Sequence, residues 1–288
     1  MKTALECLAC FIKQAVRAAK LSTEDPALQR QAVNEALARV RDLELDASPA
    51  TLSAVVYAAV RDTTGVANPF AAIKRETNRR ALQLLPDLRR RAEASADPLH
   101  AAVKLALAGN VIDFGIDRPF DIEHETEAIL DSGLTRDDYP VFRELLADCR
   151  KLLYVCDNSG EIAFDAFLVE KLKEHTDVVA SVKSGPVIND ATRADAEEVG
   201  LTKLCPVIET GADAVGVDWD LASEEFAETF RTADIVIAKG QGNYETLDEN
   251  PEEIFFILKV KCPVIAEAVD LPEGSNVFLR NRAADGER

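Results

Sequence analysis

An acid and an amide, Asp157-Asn158, stand where an apolar run from Leu152 to Cys156 stops. Their side-chain oxygens are hard donors, suited to Mg2+ or Mn2+. Ser159-Gly160-Glu161 follows, then a segment with helical spacing through Ile162, Phe164, Phe167, Val169 and Leu172. The amino end of such a helix offers unpaired N–H groups to an anion. A divalent ion beside an anion hole is the equipment for metal-assisted phosphate chemistry. The same two residues also cap helices and shape turns, and this stretch alone does not choose between the two roles.

Further polar residues fall at the ends of other apolar runs. Val178–Val182 leads into Lys183-Ser184-Gly185-Pro186 and on to Asn189-Asp190. Ile235–Ala238 leads into Lys239-Gly240-Gln241-Gly242-Asn243-Tyr244-Glu245, and a run over Val264–Ala266 ends at Glu267. Asp190 has the chemistry of a third oxygen ligand, or of a cap for a helix beginning at Ala191. Lys239 sits in a glycine-bearing loop where a cation and exposed N–H groups can hold phosphate. This loop is not a Walker A motif, since the order Gly-x-x-x-x-Gly-Lys-Ser/Thr is absent. Gly109-Asn110-x-x-Asp113 closes a helical stretch with a polar pair three residues apart, either facing a site or forming an ordinary helix stop.

The elements that must position these groups change character along the chain. From residue 1 to about 148 the spacing is helical, beginning with Leu5, Leu8, Ile12 and Val16 as one expected face. Helix starts are marked by Asp25-Pro26, Ser48-Pro49, Asn68-Pro69 and Asp97-Pro98, a capping residue before a proline. The basic cluster from Lys74 to Arg91 is interrupted by acids and leucines and reads as a solvated helix face. From about residue 149 short apolar runs alternate with helical segments: Leu152–Cys156, Val178–Val182, Cys205–Ile208, Ile235–Ala238 and Val264–Ala266. The expectation is an α/β fold: a helical N-terminal region, 1–148, packed on a Rossmann-like α/β/α domain, 149–288, with a mainly parallel sheet. In such a sheet the polar strand ends share one edge, the edge at which ligands bind.

Composition narrows the classes. The chain has 288 residues, 47% hydrophobic and 29% charged, ordinary for a soluble globular protein. A net charge of −18 argues against nucleic acid and anionic membranes, which need a basic footprint. A small phosphorylated substrate stays compatible, because a bound divalent cation reverses the local field. No apolar run spans a bilayer and the amino terminus does not read as a signal peptide, so the cytoplasm is the expected location. The six cysteines include one close pair, Cys7 and Cys10, neighbours on a helix face. They lack a second pair for a structural zinc site and a preceding strand for a redox motif. Covalent phosphatase routes do not fit. Ser159 stands where an Asp-x-Asp nucleophile motif needs its second aspartate, and Ile162 stands where Cys-x5-Arg needs arginine.

Cys7-x-x-Cys10, Gly109-Asn110-x-x-Asp113, Asp157-Asn158-Ser159-Gly160-Glu161, Asn189-Asp190 and Lys239 to Glu245 occur in that order. Together they resemble the DUF89 family, the ARMT1-like damage-control phosphatases, and the Cys-x-x-Cys is similar to its stand-alone prokaryotic branch. The resemblance implies metal-dependent hydrolysis of small phosphorylated metabolites such as sugar phosphates or damaged phosphometabolites. It implies a divalent ion (Mg2+, Mn2+, Co2+ or Ni2+) on Asp157, Asn158 and Asp190, and phosphate contact by Lys239. Ser159, Gly160, Gly240, Asn243 and Asn110 would lie on the substrate side. Asp113, with Glu161 second, would orient or deprotonate the attacking water. The alternative from another class is a non-catalytic protein that binds metal and phosphometabolite without turnover.

Overall fold

The structure is a computed structural model and describes residues 1–111 and 133–281, the side chains of Asn110 and Val111 excepted. Three helices, α1 (Leu5–Ser22), α2 (Pro26–Arg41) and α3 (Pro49–Thr64), share a core of their own built from Phe11, Ala15, Ala32, Ala36, Val56 and Phe70. The buried stripe of α1 runs through Cys7, Phe11, Ala15 and Ala18. Of the expected stripe Leu8 and Ile12 pack against this core at its edge, while Leu5, 73% exposed, and Val16 face outward. Small alanines let α2 and α3 approach the α1 axis, and Phe11 fills the space that remains.

The proline punctuation holds at three of four starts. Asp25 accepts from the Ala27 N–H, Ser48 from Thr51 and Asp97 from His100. After Asn68-Pro69 the helix α4 (Ala71–Glu93) begins two residues late, with Phe70 as an N-cap lacking a side-chain bond.

The sheet has seven strands: β1 (Arg136–Asp137), β2 (Lys151–Val155), β3 (Asp177–Val182), β4 (Val207–Glu209), β5 (Ile235–Lys239), β6 (Ile254–Lys259) and β7 (Asn276–Arg280), in the order β1-β7-β6-β5-β2-β3-β4. From β6 to β4 every neighbour is parallel, and β7 runs antiparallel to β6. The α/β class and the mainly parallel sheet agree with the sequence reading, with two differences. Val264–Ala266 belongs to a helix, Pro263–Val269, so Glu267 ends no strand; Pro263 supplies the ready-made first helical turn. The strands in that part of the chain are β6 and β7 instead. One short strand, β1, also lies inside the stretch expected to be all helix.

Alternation along the strands buries both faces of the sheet. Leu152, Tyr154, Ile235 and Ile237 face α4, α5 (Pro98–Val111), α6 (Tyr139–Leu146) and α7 (Glu161–Leu172). Leu153, Val155, Val236 and Ala238 face α9 (Glu224–Thr232), α10 (Gly240–Leu247) and α11 (Pro263–Val269). The short α8 (Arg193–Glu198) follows β3. After β2 the chain builds outward through β3 and β4, then returns to lay β5 against the other side of β2. The carboxyl ends of β2 and β5 thus flank a topological switch point, where open α/β sheets form their crevice.

Candidate active site

Asp157 and Asn158 leave β2 on one side of that crevice, and Lys239 and Gly240 leave β5 on the other. The carboxylate of Asp157 packs directly on Gly240. A Cβ there would fall inside the carboxylate, and the backbone φ of +80° is itself one that L side chains avoid. Asp190 is brought alongside by an isolated bridge between Asn158 and Asp190 and by the Ala191 N–H, which donates to the Asp157 carbonyl at 2.7 Å. Ile188, two residues before Asp190, is held at φ +42°, a strained setting for a β-branched residue.

The helix-cap alternatives are removed. The N-cap of α7 is Gly160, without a side-chain bond, and Asn158 instead donates to Asp157 Oδ2 at 2.7 Å and Glu161 Oε1 at 2.8 Å. The helix after Asp190 starts at Arg193 and is capped by Thr192 in a capping box with Asp195. Asp157 and Asp190 are both buried. Burial, then the neighbouring carboxylates of Glu161 and Asp190, push Asp157 well above the ordinary carboxylate range. Burial raises Asp190 to about 6 against the opposing pull of Lys183 and Lys74. Asp190 Oδ2 has no hydrogen-bond partner, and Lys183 Nζ is 3.8 Å from it.

Lys239 departs from the expected phosphate contact. Its ammonium is fully buried and its three N–H groups go to the Ala106 carbonyl at 2.8 Å, Asp165 Oδ1 at 2.9 Å and Glu161 Oε2 at 3.2 Å. Burial alone would lower its pKa, but Asp165 and Glu161 outweigh that and hold it above the usual lysine range. Tyr154 donates to the same Asp165 oxygen at 2.7 Å. Lys239 therefore fixes Glu161, on α7, against α5; it faces carboxylates, not solvent.

The expected anion hole at α7 is likewise occupied by protein. The Ser159 N–H donates to the Asn189 carbonyl at 2.8 Å, the Ser159 hydroxyl reaches the same oxygen at 2.9 Å, and the Gly160 N–H goes to Asn78 Oδ1 at 2.6 Å. Asn243 is buried, its Nδ2 bound to the carbonyls of Lys239 and Cys156, while its Oδ1 has no partner. Asp113 and the Asn110 side chain lie outside the described residues.

Several contributors had no sequence signal. Asn78, in mid-α4, caps Gly160 and donates to Asp195 Oδ1 at 3.0 Å and Glu198 Oε2 at 2.7 Å. Lys74, one turn earlier, pairs with Asp195 at 2.8 Å and is buried, unlike Arg79 and Arg80, which stay half exposed beside Glu76. Lys183 donates to the Gly216 carbonyl, and burial lowers its pKa despite Asp190 and Asp157. Being the first residue past β3, it carried the one positional hint. Cys7 is buried in the core of α1–α3, where burial pushes its thiol up, and Cys10 is exposed.

A cleft of about 200 Å3 opens between the helical layer and the loops after β3 and β4, lined by Tyr57, Phe70, Pro186, Val187 and Ile188 among others, Ile188 standing two residues before Asp190. Burial and the Asp190 carboxylate raise the Tyr57 phenol, which ties this cleft to the acidic site. No helix among the described residues is long and apolar enough to cross a membrane.

The family model described as the damage-control phosphatase ARMT1-like domain matches residues 3–277. A damage-control phosphatase of Pyrococcus horikoshii is 39% identical over 287 residues, covering 98% of this chain and 99% of that one. A damage-control phosphatase of Archaeoglobus fulgidus is 32% identical over 286 residues, covering 96% and 98%. The crystal structure of a DUF89 family protein from P. horikoshii superposes with a TM-score of 0.91 at 39% identity, over 98% of this chain and 100% of that one.

Proposed function

The chain belongs to the damage-control phosphatase ARMT1-like family, and from that premise we propose that it is a metal-dependent phosphatase of small phosphorylated metabolites. The observation that carries this is the pairing of Asp157 and Asp190, two buried carboxylates at the switch point, one with an oxygen lacking a partner. Like charges placed together out of water are sustained by a cation. Among the described residues no group of three or more His, Cys, Asp or Glu side chains forms a metal cluster. The donor set is instead two carboxylates and an amide, all oxygen, which fits a hard divalent ion. Asp157, Asn158 and Asp190 would hold it. Bound there, such an ion supplies Lewis-acid polarisation of the phosphoryl group and a more acidic water.

The protein's own groups do the rest. Asn158 and Lys239 each bind one oxygen of Glu161, so this carboxylate is fixed in direction. It can accept a hydrogen bond from the attacking water and orient it, a role in which Asp113 is its candidate partner. The anion-facing helix end is that of α10 rather than α7. Its first N–H groups, from Gly240 onward, have no acceptor within the helix and start where Asp157 packs. Lys239 acts behind Glu161 as a positioning residue.

The test is a panel of phosphorylated metabolites with Mg2+, Mn2+, Co2+ and Ni2+, with Asp157→Ala and Asp190→Ala as controls. Either variant should lose metal binding, read by calorimetry, together with turnover. Parent-rate hydrolysis by these variants, or hydrolysis in chelator, defeats the mechanism; metal and phosphate binding without turnover on any substrate would mark a binding protein.

A further inference from the structure

Lys239 is committed to protein, so the cation that meets the substrate must be sought elsewhere. Arg17, on α1, is the described cationic side chain whose buried nitrogens, Nε and Nη2, lack any hydrogen-bond partner. Its guanidinium lies 5.6 Å above the Phe70 ring, which Tyr57 meets edge-on with centroids 6.5 Å apart. Phe70, Tyr57 and Ala18, the residue after Arg17, line the cleft, so Arg17 adjoins its wall through Phe70 and Ala18. Asn68 Oδ1 on the cleft wall is likewise without a partner, as is Gln14 Oε1, three residues before Arg17 on α1.

A ring face offsets only part of what two buried, charged N–H donors lose without acceptors. In a chain of net charge −18, a guanidinium with two buried nitrogens and no carboxylate partner is unusual. Its planar fork matches a carboxylate or a phosphate. The cleft, at about 200 Å3, is somewhat larger than the ~150 Å3 cavity that accepts a benzene ring. Its walls are largely apolar, and at its outer side Arg61 and Asp213, both about half exposed, lie 3.6 Å apart.

We propose that this cleft is the second half of the substrate site, in which Arg17 receives an acidic group that the substrate carries apart from its phosphomonoester. The inference rests on the phosphatase reading and narrows it to a substrate class: compact phosphomonoesters bearing a carboxylate or a second phosphate, in preference to neutral sugar monophosphates. Gln14 and Asn68 offer acceptors for hydroxyls near the acidic end. Tyr57, on the cleft wall, feels both charges on top of its burial: Asp190 raises the pKa of its phenol and Arg17 lowers it.

The experiment compares kcat/KM of the metal-loaded protein for three kinds of probe: 3-phosphoglycerate for the carboxylate, fructose 1,6-bisphosphate for the second phosphate, and glycerol 1-phosphate as the neutral case. Arg17→Met should lower kcat/KM at least tenfold for whichever acidic probe is preferred, through KM, and leave the neutral probe within twofold. Equal effects on both classes, or none, overturn the proposal. Calorimetric titration of 3-phosphonopropionate against methylphosphonate reads the same preference without turnover, and Arg17→Met should abolish the difference. No hydrolysis with this binding difference intact would refute the phosphatase reading alone. Hydrolysis with no Arg17 dependence would refute the cleft assignment alone. Arg17→Lys, which keeps the charge, serves where Met does not fold and should retain part of the preference.

Discussion

Replacing Lys239 by methionine tests whether this side chain belongs to the scaffold or to the substrate. The change keeps the stem and deletes an ammonium that binds Asp165, Glu161 and the Ala106 carbonyl with no exposure to solvent. Two buried carboxylates are then left facing each other, and breaking a buried ion pair from one side costs about 3–5 kcal/mol. Unfolding entropy of roughly 2.1 cal/mol/K per residue, over 288 residues, converts this to a drop of about 5–8 °C in Tm. The loss should depend on pH in a definite sense. Asp165 is already raised to about 6 by burial with the lysine present; without the lysine it rises further, so at pH 5 it is protonated and the penalty shrinks. Scanning calorimetry at pH 5 and pH 8 should therefore show the larger deficit at pH 8, and adding Asp165→Asn should restore much of it. A variant that melts with the parent and shows only a raised KM would refute the reasoning and return Lys239 to the phosphate.

Gly240→Ala forces a side chain at φ +80° into the Asp157 carboxylate. It should cost about 1–2 kcal/mol for the left-handed backbone and weaken calorimetric metal affinity tenfold or more; undiminished affinity would separate Asp157 from the ion. Asn78→Ala strips the Gly160 N–H of its acceptor and Asp195 and Glu198 of a donor. A loss of about 2–3 kcal/mol is expected in the unfolding free energy read by urea titration, and a change below about 0.5 kcal/mol would show that Asn78 is dispensable there. In the parent, Asp165 moves from the usual 3.8 to about 6 on folding. The folded protein thus keeps a proton that the unfolded chain releases, and stability falls by up to about 3 kcal/mol as pH rises from 4 to 6. In Asp165→Asn this slope should be absent; an identical pH profile would mean the carboxyl is already ionised at pH 4.

The strand ends that carry the site were legible because each follows an apolar run with a sharp polar stop, as at Val155 to Asp157 and Ala238 to Lys239. The same rule failed at Val264–Ala266, where three apolar residues are too few to separate a strand from a helix turn, while Pro263 before them signalled the helix. Ile254 to Leu258, the real strand, is apolar at every position because both sheet faces are buried, so it shows no alternation. What side chains do at the site was less readable than where they sit. Lys239 takes its partners from residues 74, 78 and 133 positions away, and Asn78 meets Gly160 across 82. Sequence spacing within one segment contains no trace of such pairings.

The docking of α4 has a consequence for the order in which the protein is made. Its inner residues Lys74 and Asn78 find their side-chain partners at Gly160, Thr192, Asp195 and Glu198, as far as about 120 positions later in the chain. On a ribosome the trio α1–α3, with a core of its own, can settle as soon as it emerges. The fourth helix cannot, since burying an ammonium and an amide early would strand both without partners. It should remain wet and protease-sensitive until α8 has been synthesised. A nascent chain arrested near residue 150 would then protect α1–α3 and leave α4 open to cleavage, whereas one arrested some forty residues beyond α8, clear of the exit tunnel, would protect both.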